Sequence, residues 1–249
     1  MALPSMGSAQ VPPSLNAAAA ALEDGLYGLA ERQVRAVLAE PGSAPDAAAA
    51  SVLLLRALHG QEKFQELVDT ESYRRHPGPQ EGALLFWHAM GLYGLGRYDG
   101  TLSALDLFQT RFAADRLYGA RAQRLRAWCL MKVGRREEAI ALFARFAREF
   151  GDSPEGPANA LDWSRALLEQ GDLAGARKPL EAVISQAPTS DAGQEARLML
   201  AQILIREKKS DKAWNALDTL AEDKGVRPDL RAEARFALAD LNSAQGHDE

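Results

Sequence analysis

The sequence predicts an all-α protein, a solenoid of about six antiparallel helix pairs followed by a final helix. One observation is a recurring turn residue, spaced 35 to 38 positions apart, at Gly25, Gly60, Gly96, Gly134, Gly171, Lys208 and Gly246. A second is that three other columns of residues keep the same register relative to these turns. A third is that no segment alternates apolar and polar residues between hairpin turns, so no sheet is expected.

Each turn residue is predicted to end a first helix. Seven residues before it, six of the seven repeats carry a small residue, and only Leu53 is large. The small residues are Ala18, Ala89, Ala127, Ser164, Ala201 and Ala239. Small side chains let helix backbones approach each other, so this column predicts helix–helix contacts.

The second helix of each repeat follows the turn. Five residues after the turn residue the chain has Ala30, Thr101, Ala139, Ala176 and Ala213. Nine residues after it come Val34, Leu105, Phe143, Leu180 and Leu217. A spacing of four puts both columns on one helix face, which predicts a buried stripe. The second repeat fits only if its turn is a residue or two longer.

The predicted solenoid covers residues 14–246, with an irregular joint near 73–81 that is rich in Pro and Gly. Residues 1–13 are expected to be disordered, as the remnant of a clipped signal peptide or as an ordinary terminus. Residues 247–249 form a tail. The final helix either caps the solenoid or marks a cut from a longer protein, and the cut is favoured.

Composition excludes several classes of protein. The net charge of -5 argues against a general nucleic-acid binder. A single cysteine, Cys129, allows no internal disulfide. No apolar run approaches the roughly 20 residues that cross a bilayer, so no membrane span is expected.

No catalytic or metal-binding pattern is present. The four histidines lie far apart, and no His-x-x-x-His or Cys-x-x-Cys spacing occurs. No nucleophile has a readable base nearby. The sequence therefore predicts a non-enzymatic protein with no cofactor and no metal.

These columns resemble the tetratricopeptide repeat family. Gly25-Leu-Tyr27 and Gly96-Arg-Tyr98 match its turn, and Pro188 falls in its proline column. The resemblance implies a right-handed superhelix, although the repeats are longer than 34 residues and the early Trp column is mostly lost.

The longer repeat and the stretch from Phe146 to Pro154 are similar to bacterial envelope members of the family, such as the Tol-Pal accessory protein and the outer-membrane assembly lipoprotein. That similarity implies a periplasmic or envelope location, and the cytoplasm is the alternative.

In this family the first helices line the concave face. The positions ten, six and three residues before the turn residue are expected to point there. The candidate partner-binding residues are Phe86, Met90, Tyr93, Arg124, Trp128, Met131 and Arg165. The alternative for each is packing between neighbouring first helices. Aromatic, Met and Arg side chains are typical of interface cores.

The predicted function is that of a scaffold for a protein or peptide, in cell-envelope assembly or maintenance. The alternative is an accessory repeat domain of a larger enzyme or secretion machine. A run of basic residues from Arg111 to Arg136 is either a solvated surface or a docking patch for an acidic partner. The oligomeric state is not predicted.

Overall fold

The computed structural model describes residues 13–40, 46–70, 72–76 and 78–244, and these form α-helices joined by turns, with no strand among them. A 3-10 turn, Pro13–Leu15, comes first. The helices are α1 Asn16–Glu23, α2 Tyr27–Ala39, α3 Ala47–Gly60, α4 Phe64–Asp69, α5 Ser72–Arg75, α6 Glu81–Gly94, α7 Tyr98–Arg111, α8 Arg116–Lys132, α9 Arg136–Phe150, α10 Gly156–Gln170, α11 Leu173–Gln186, α12 Asp191–Arg206, α13 Ser210–Glu222 and α14 Pro228–Ala244.

First and second helices alternate along the chain as predicted. The repeats are α1–α2, α3–α4, α6–α7, α8–α9, α10–α11 and α12–α13, and α14 is a further first helix. Neighbours such as α1 and α2, α6 and α7, or α10 and α11 pack against each other. The predicted all-α architecture of helix pairs is confirmed.

The turns are built alike. Gly25, Gly96, Gly134 and Gly171 have positive φ, between 70° and 87°. At five turns the N–H that follows the turn residue donates to the carbonyl four residues before it, as in Arg97 N to Leu92 O, 2.9 Å. This is the hydrogen bond of a helix end closed by a left-handed residue.

The turn residue predicted for the second repeat is wrong by two positions. Gly60 lies inside α3, and the left-handed residue is Glu62, with φ 59°. Gly60 has another reason to be glycine: a Cβ there would lie 2.5 Å from the ring of Tyr27. Glycine is required at this position because two helices approach each other closely, and not because the chain turns there.

The predicted columns form the core. Ala30, Thr101, Ala139, Ala176 and Ala213 are each 0% exposed. The next column, Val34, Leu105, Phe143, Leu180 and Leu217, is at most 2% exposed. In the first-helix column, Ala239 is the exception, because it lies on the exposed side of α14.

The chain divides into two compact units, residues 1–133 and 134–249. The N-terminal unit has one core cluster that runs from Leu15 to Leu125. The C-terminal unit has one cluster around Leu180 and Ile203 and another around Leu217 and Leu230. Apart from Pro13, the predicted segments 1–13 and 247–249 lie outside the described residues.

Candidate functional site

The candidate binding residues lie on three first helices. Phe86, Met90 and Tyr93 belong to α6, and Arg124, Trp128 and Met131 belong to α8. Helices α6 and α8 pack against each other in the N-terminal unit, which brings these six residues onto adjacent helices. Arg165 belongs to α10, in the C-terminal unit.

Phe86 is part of the core. Its side chain is 4% exposed, and its ring lies 5.5 Å from the ring of Trp87 and 5.2 Å from that of Tyr118. Of the two interpretations offered by the sequence, packing between neighbouring first helices describes this residue. It packs within the core and offers almost no exposed area to a partner.

Apart from Arg124, the partly exposed side chains of this face on α6 and α8 are apolar or aromatic. Met90, Tyr93, Trp128 and Met131 are all partly buried, with Met90 and Tyr93 packed against the core of the N-terminal unit. The Tyr93 ring lies 5.6 Å from that of Tyr98, which fixes its orientation. Large, ordered side chains that keep exposed area lose little conformational entropy when a partner covers them.

The corrected turn adds two residues that the sequence interpretation missed. Counting from Glu62, the positions six and three residues earlier are Arg56 and His59, both on α3. The sequence feature that could have placed this turn is Phe64. It stands two residues after its turn residue, as Tyr27 and Tyr98 do.

Arg56 and His59 are held firmly. The Arg56 side chain is 6% exposed and bonds Glu23 at 3.4 Å. His59 lies edge-on between the rings of Phe64 and Trp87, at 5.5 and 5.3 Å. Burial lowers the pKa of His59, against the opposing effect of Glu62, so the imidazole is neutral at pH 7.

Arg165 is engaged by its own chain. Its guanidinium bonds Asp162 on the same helix at 3.1 Å and also Glu195 on α12. At the equivalent position of the next repeat, the side chain of Gln202 donates to Glu233 at 3.4 Å. This helix position, six residues before the turn, therefore carries polar side chains bonded to carboxylates in the C-terminal unit, and the apolar residues Met90 and Trp128 on α6 and α8.

At least four of the eight basic residues in the predicted run pair with carboxylates. Arg111 pairs with Glu81 and Arg126 with Asp106 in the N-terminal unit. In the C-terminal unit Arg135 bonds Glu138 at 2.6 Å and Arg136 lies 3.9 Å from Glu169. This pairing favours a solvated surface over a docking patch for an acidic partner.

The remaining chemistry of the described residues is sparse. No group of three or more His, Cys, Asp or Glu side chains among them could hold a metal ion. Cys129 is buried, and burial raises the pKa of its thiol, which lies 3.4 Å from the carbonyl of Tyr98. None of the helices in this part of the chain combines the length and apolarity needed to span a bilayer.

The profile of the tetratricopeptide repeat-like domain matches residues 109–245, more than half of the sequence. The chain therefore belongs to the tetratricopeptide repeat family. A search of the curated proteins finds no match.

Solved structures share the fold. The apo form of RapI is 12% identical, with a TM-score of 0.72 over 94% of this chain and 71% of that one. A tetratricopeptide repeat protein from Parabacteroides merdae is 15% identical, with a TM-score of 0.63 over 93% of this chain and 85% of that one. Repeats of a Podosopora anserina putative kinesin light chain are 16% identical, with a TM-score of 0.59 over 71% of this chain and 94% of that one. At these identities the likeness concerns the fold alone.

Proposed function

We propose that this protein is a non-enzymatic scaffold that binds a protein or peptide on the first-helix face of its N-terminal unit. The observation that carries the proposal is the group of partly exposed side chains Met90, Tyr93, Trp128 and Met131 on α6 and α8. Met and aromatic residues are enriched in interface cores, where they supply most of the buried apolar area.

Trp128 is the expected anchor. It lies on α8, three residues before Met131, and α8 packs against α6. A tryptophan that becomes fully buried on binding is a frequent hot spot. Truncation of such an anchor costs about 2 kcal/mol or more, which is about a 30-fold rise in Kd. Beneath the face, buried Phe86 and Arg56 keep α6 and α3 in place.

The test begins with a pull-down, using this chain as bait, and continues with titration of the purified partner. Trp128→Ala should raise the Kd about 30-fold or more. The matched control is Trp214→Ala, because Trp214 is a 39% exposed tryptophan in the other unit. Circular dichroism melts establish that both variants fold. Equal affinity of wild type and Trp128→Ala would move the site away from this face.

Arg165→Glu gives a second comparison. Because Arg165 already bonds Asp162 and Glu195, an acidic partner has to compete with these carboxylates. If Arg165 contacts the partner, the charge reversal should weaken binding more at low salt than at high salt, where exposed charges are screened. An unchanged Kd at both salt concentrations would restrict the binding face to the N-terminal unit.

We further propose that the scaffold acts in the bacterial cell envelope, in assembly or maintenance. Support comes from the similarity of the stretch from Phe146 to Pro154 to repeats of envelope proteins. The test is fractionation of cells that carry the protein at its native level, with marker proteins for each compartment. Recovery in the periplasmic or membrane fraction supports the proposal, and recovery with the cytoplasmic marker overturns it.

A further inference from the structure

Helix α14 has an apolar outer face. On its inner side Leu230, Ala234 and Leu241 are buried, and α14 packs there against α12 and α13. The opposite side carries Ala232, Phe236, Ala239 and Ser243, all exposed. Phe236 is 70% exposed, more than any other large hydrophobic residue that the structure describes.

The corresponding face of the preceding first helix is covered. Counting back 38 positions from Ala232, Phe236 and Ala239 gives Gln194, Leu198 and Ala201 on α12, which are 5%, 3% and 0% exposed. Leu198 and Ala201 belong to the core cluster formed with residues of α13 and α14. The α14 face therefore has the composition of a helix contact, and among the described residues no helix covers Phe236.

The spacing of this face suits another helix. Ala232, Phe236, Ala239 and Ser243 are separated by four, three and four residues, the alternation of the apolar seam in a coiled coil. Charged residues flank the seam, Arg235 on one side and Glu233 and Asp240 on the other. In such pairs, charges at the flanking positions select the partner and the orientation.

We propose that α14 is a homodimer interface, in which the α14 helices of two copies pack in parallel about a two-fold axis. Parallel packing sets Phe236 against its equivalent between small residues. It also brings Arg235 of one copy beside Asp240 of the second copy, twice by symmetry. Antiparallel packing would instead place Asp240 beside Glu233 of the other copy, two like charges.

The hydrogen bonds of Arg235 and the position of the seam on α14 are compatible with this dimer. Arg235 uses Nη2 for the carbonyl of Ala221, at 3.2 Å, and for Glu222, at 3.5 Å. Within the described part of the chain, its other guanidinium N–H groups remain for the second copy. Because the seam lies opposite the buried side of α14, the bodies of the two copies point away from each other.

One helix per copy buries less area than a standard interface, so the dimer should be weak and concentration-dependent. Sedimentation-velocity runs over a concentration series measure it directly. Phe236→Glu should raise the dimer Kd at least tenfold. The control is Leu107→Glu, because Leu107 is a 37% exposed leucine in the N-terminal unit, and this variant should dimerise like wild type. A wild-type chain that stays monomeric at the highest concentration, or equal Kd values for wild type and Phe236→Glu, overturns the proposal.

Exchange of the charges tests the orientation. Arg235→Asp and Asp240→Arg should each weaken the dimer severalfold, because each places like charges together. The double variant restores both pairs in the parallel dimer and should recover a Kd near that of wild type. A double variant as weak as the single ones overturns the parallel arrangement. Melting curves show whether each variant keeps the fold.

Discussion

One repeat of each unit solves the same packing problem with opposite residues. In the N-terminal unit, Leu67 stands five residues after its turn, and Gly91 stands five residues before the next one. A Cβ at position 91 would lie 2.5 Å from Leu67 Cδ2. In the C-terminal unit these two positions hold Ala176 and Ile203, both 0% exposed and in one core cluster. Between these two repeats the summed side-chain volume is similar, while the large side chain changes helix.

The charges show a similar reversal. Glu31, six residues after its turn, accepts hydrogen bonds from Gln61 and Lys63, on either side of the next turn, each at 2.7 Å. Six residues after the turn of the fifth repeat stands Arg177, which donates to Glu207, beside the next turn, at 2.7 Å. Two repeats thus carry an ion pair at this level, with opposite polarity. The Glu31 site is the more enclosed, since its side chain is 12% exposed.

The largest expected effect tests the core of the regular repeats. Phe143 is 1% exposed, and Phe143→Ala should cost about 3–5 kcal/mol of unfolding free energy, from lost apolar burial and the cavity left behind. Leu105 holds the same register position in the N-terminal unit, and Leu105→Ala should cost about 2–5 kcal/mol. Urea unfolding measures both, with Leu107→Ala as an exposed control. Variants that unfold like the parent would show that the register is wrong.

The second prediction transplants a residue between the units. Gly91→Ile places the side chain of position 203 where Leu67 already fills the space, and should cost about 1–3 kcal/mol or more. Leu67→Ala in the same chain restores the combination found in the C-terminal unit. We expect the double variant to be more stable than Gly91→Ile alone. If the changes in unfolding free energy of the two substitutions are additive, the exchange of side-chain volume does not couple these two positions.

The regular repeats could be predicted from the sequence because each column is filled by residues of one class, small in one column and large and apolar in the next. Ala139 and Phe143 follow their turn at fixed distances, and both are buried as expected. The second repeat could not be placed, because a close approach to Tyr27 selects Gly60 while Glu62 makes the turn. That two-residue error concealed Arg56 and His59.

The candidate face was predictable only in part. Position along a helix predicts which way a side chain points, but burial also depends on the neighbouring helix. Phe86 is covered by Tyr118 on α8, while Met90 stays half-exposed on the same helix. The partners of Arg165 come from α10 and α12, and no local spacing reveals the second of them.

The third prediction concerns Glu31. Burial alone would raise the pKa of Glu31, but hydrogen bonds from Lys63, Gln61 and Arg35 outweigh burial and lower it to about 2, from an ordinary value of 4.5. Because the folded pKa is the lower one, this stabilisation is complete above pH 4.5 and is lost as the pH falls towards 2. Glu31→Gln should therefore cost about 1–3 kcal/mol at pH 7.

Melting curves between pH 7 and pH 2.5 measure the effect. The difference in Tm between wild type and Glu31→Gln should shrink below pH 4.5, because the unfolded wild-type chain then takes up a proton at Glu31 while the folded chain, with a pKa of about 2, still holds the carboxylate ionised. A difference that stays constant over this range would mean that Glu31 stabilises through packing and not through its charge. The exposed residue Glu149 gives a control, Glu149→Gln, which should have little effect.

The smallest effect is expected at the charge-reversed site. Lys209 and Arg177 lower the pKa of Glu207 by hydrogen bonding, so Glu207→Gln should also destabilise more at pH 7 than at low pH. The loss of Tm should be smaller than for Glu31→Gln, because Glu207 has two hydrogen-bond donors in place of three and is more exposed. The two sites should also differ in their salt dependence. Both donors to Glu207 are cations, whose attraction is screened by salt, whereas one donor to Glu31 is the neutral side chain of Gln61, whose hydrogen bond is not screened. In 1 M NaCl the effect of Glu207→Gln should fall by a larger fraction than that of Glu31→Gln. If salt reduces both effects by the same fraction, the two ion pairs are screened alike. The reversed charges and the lower exposure of Glu31 would then make no difference between the two sites.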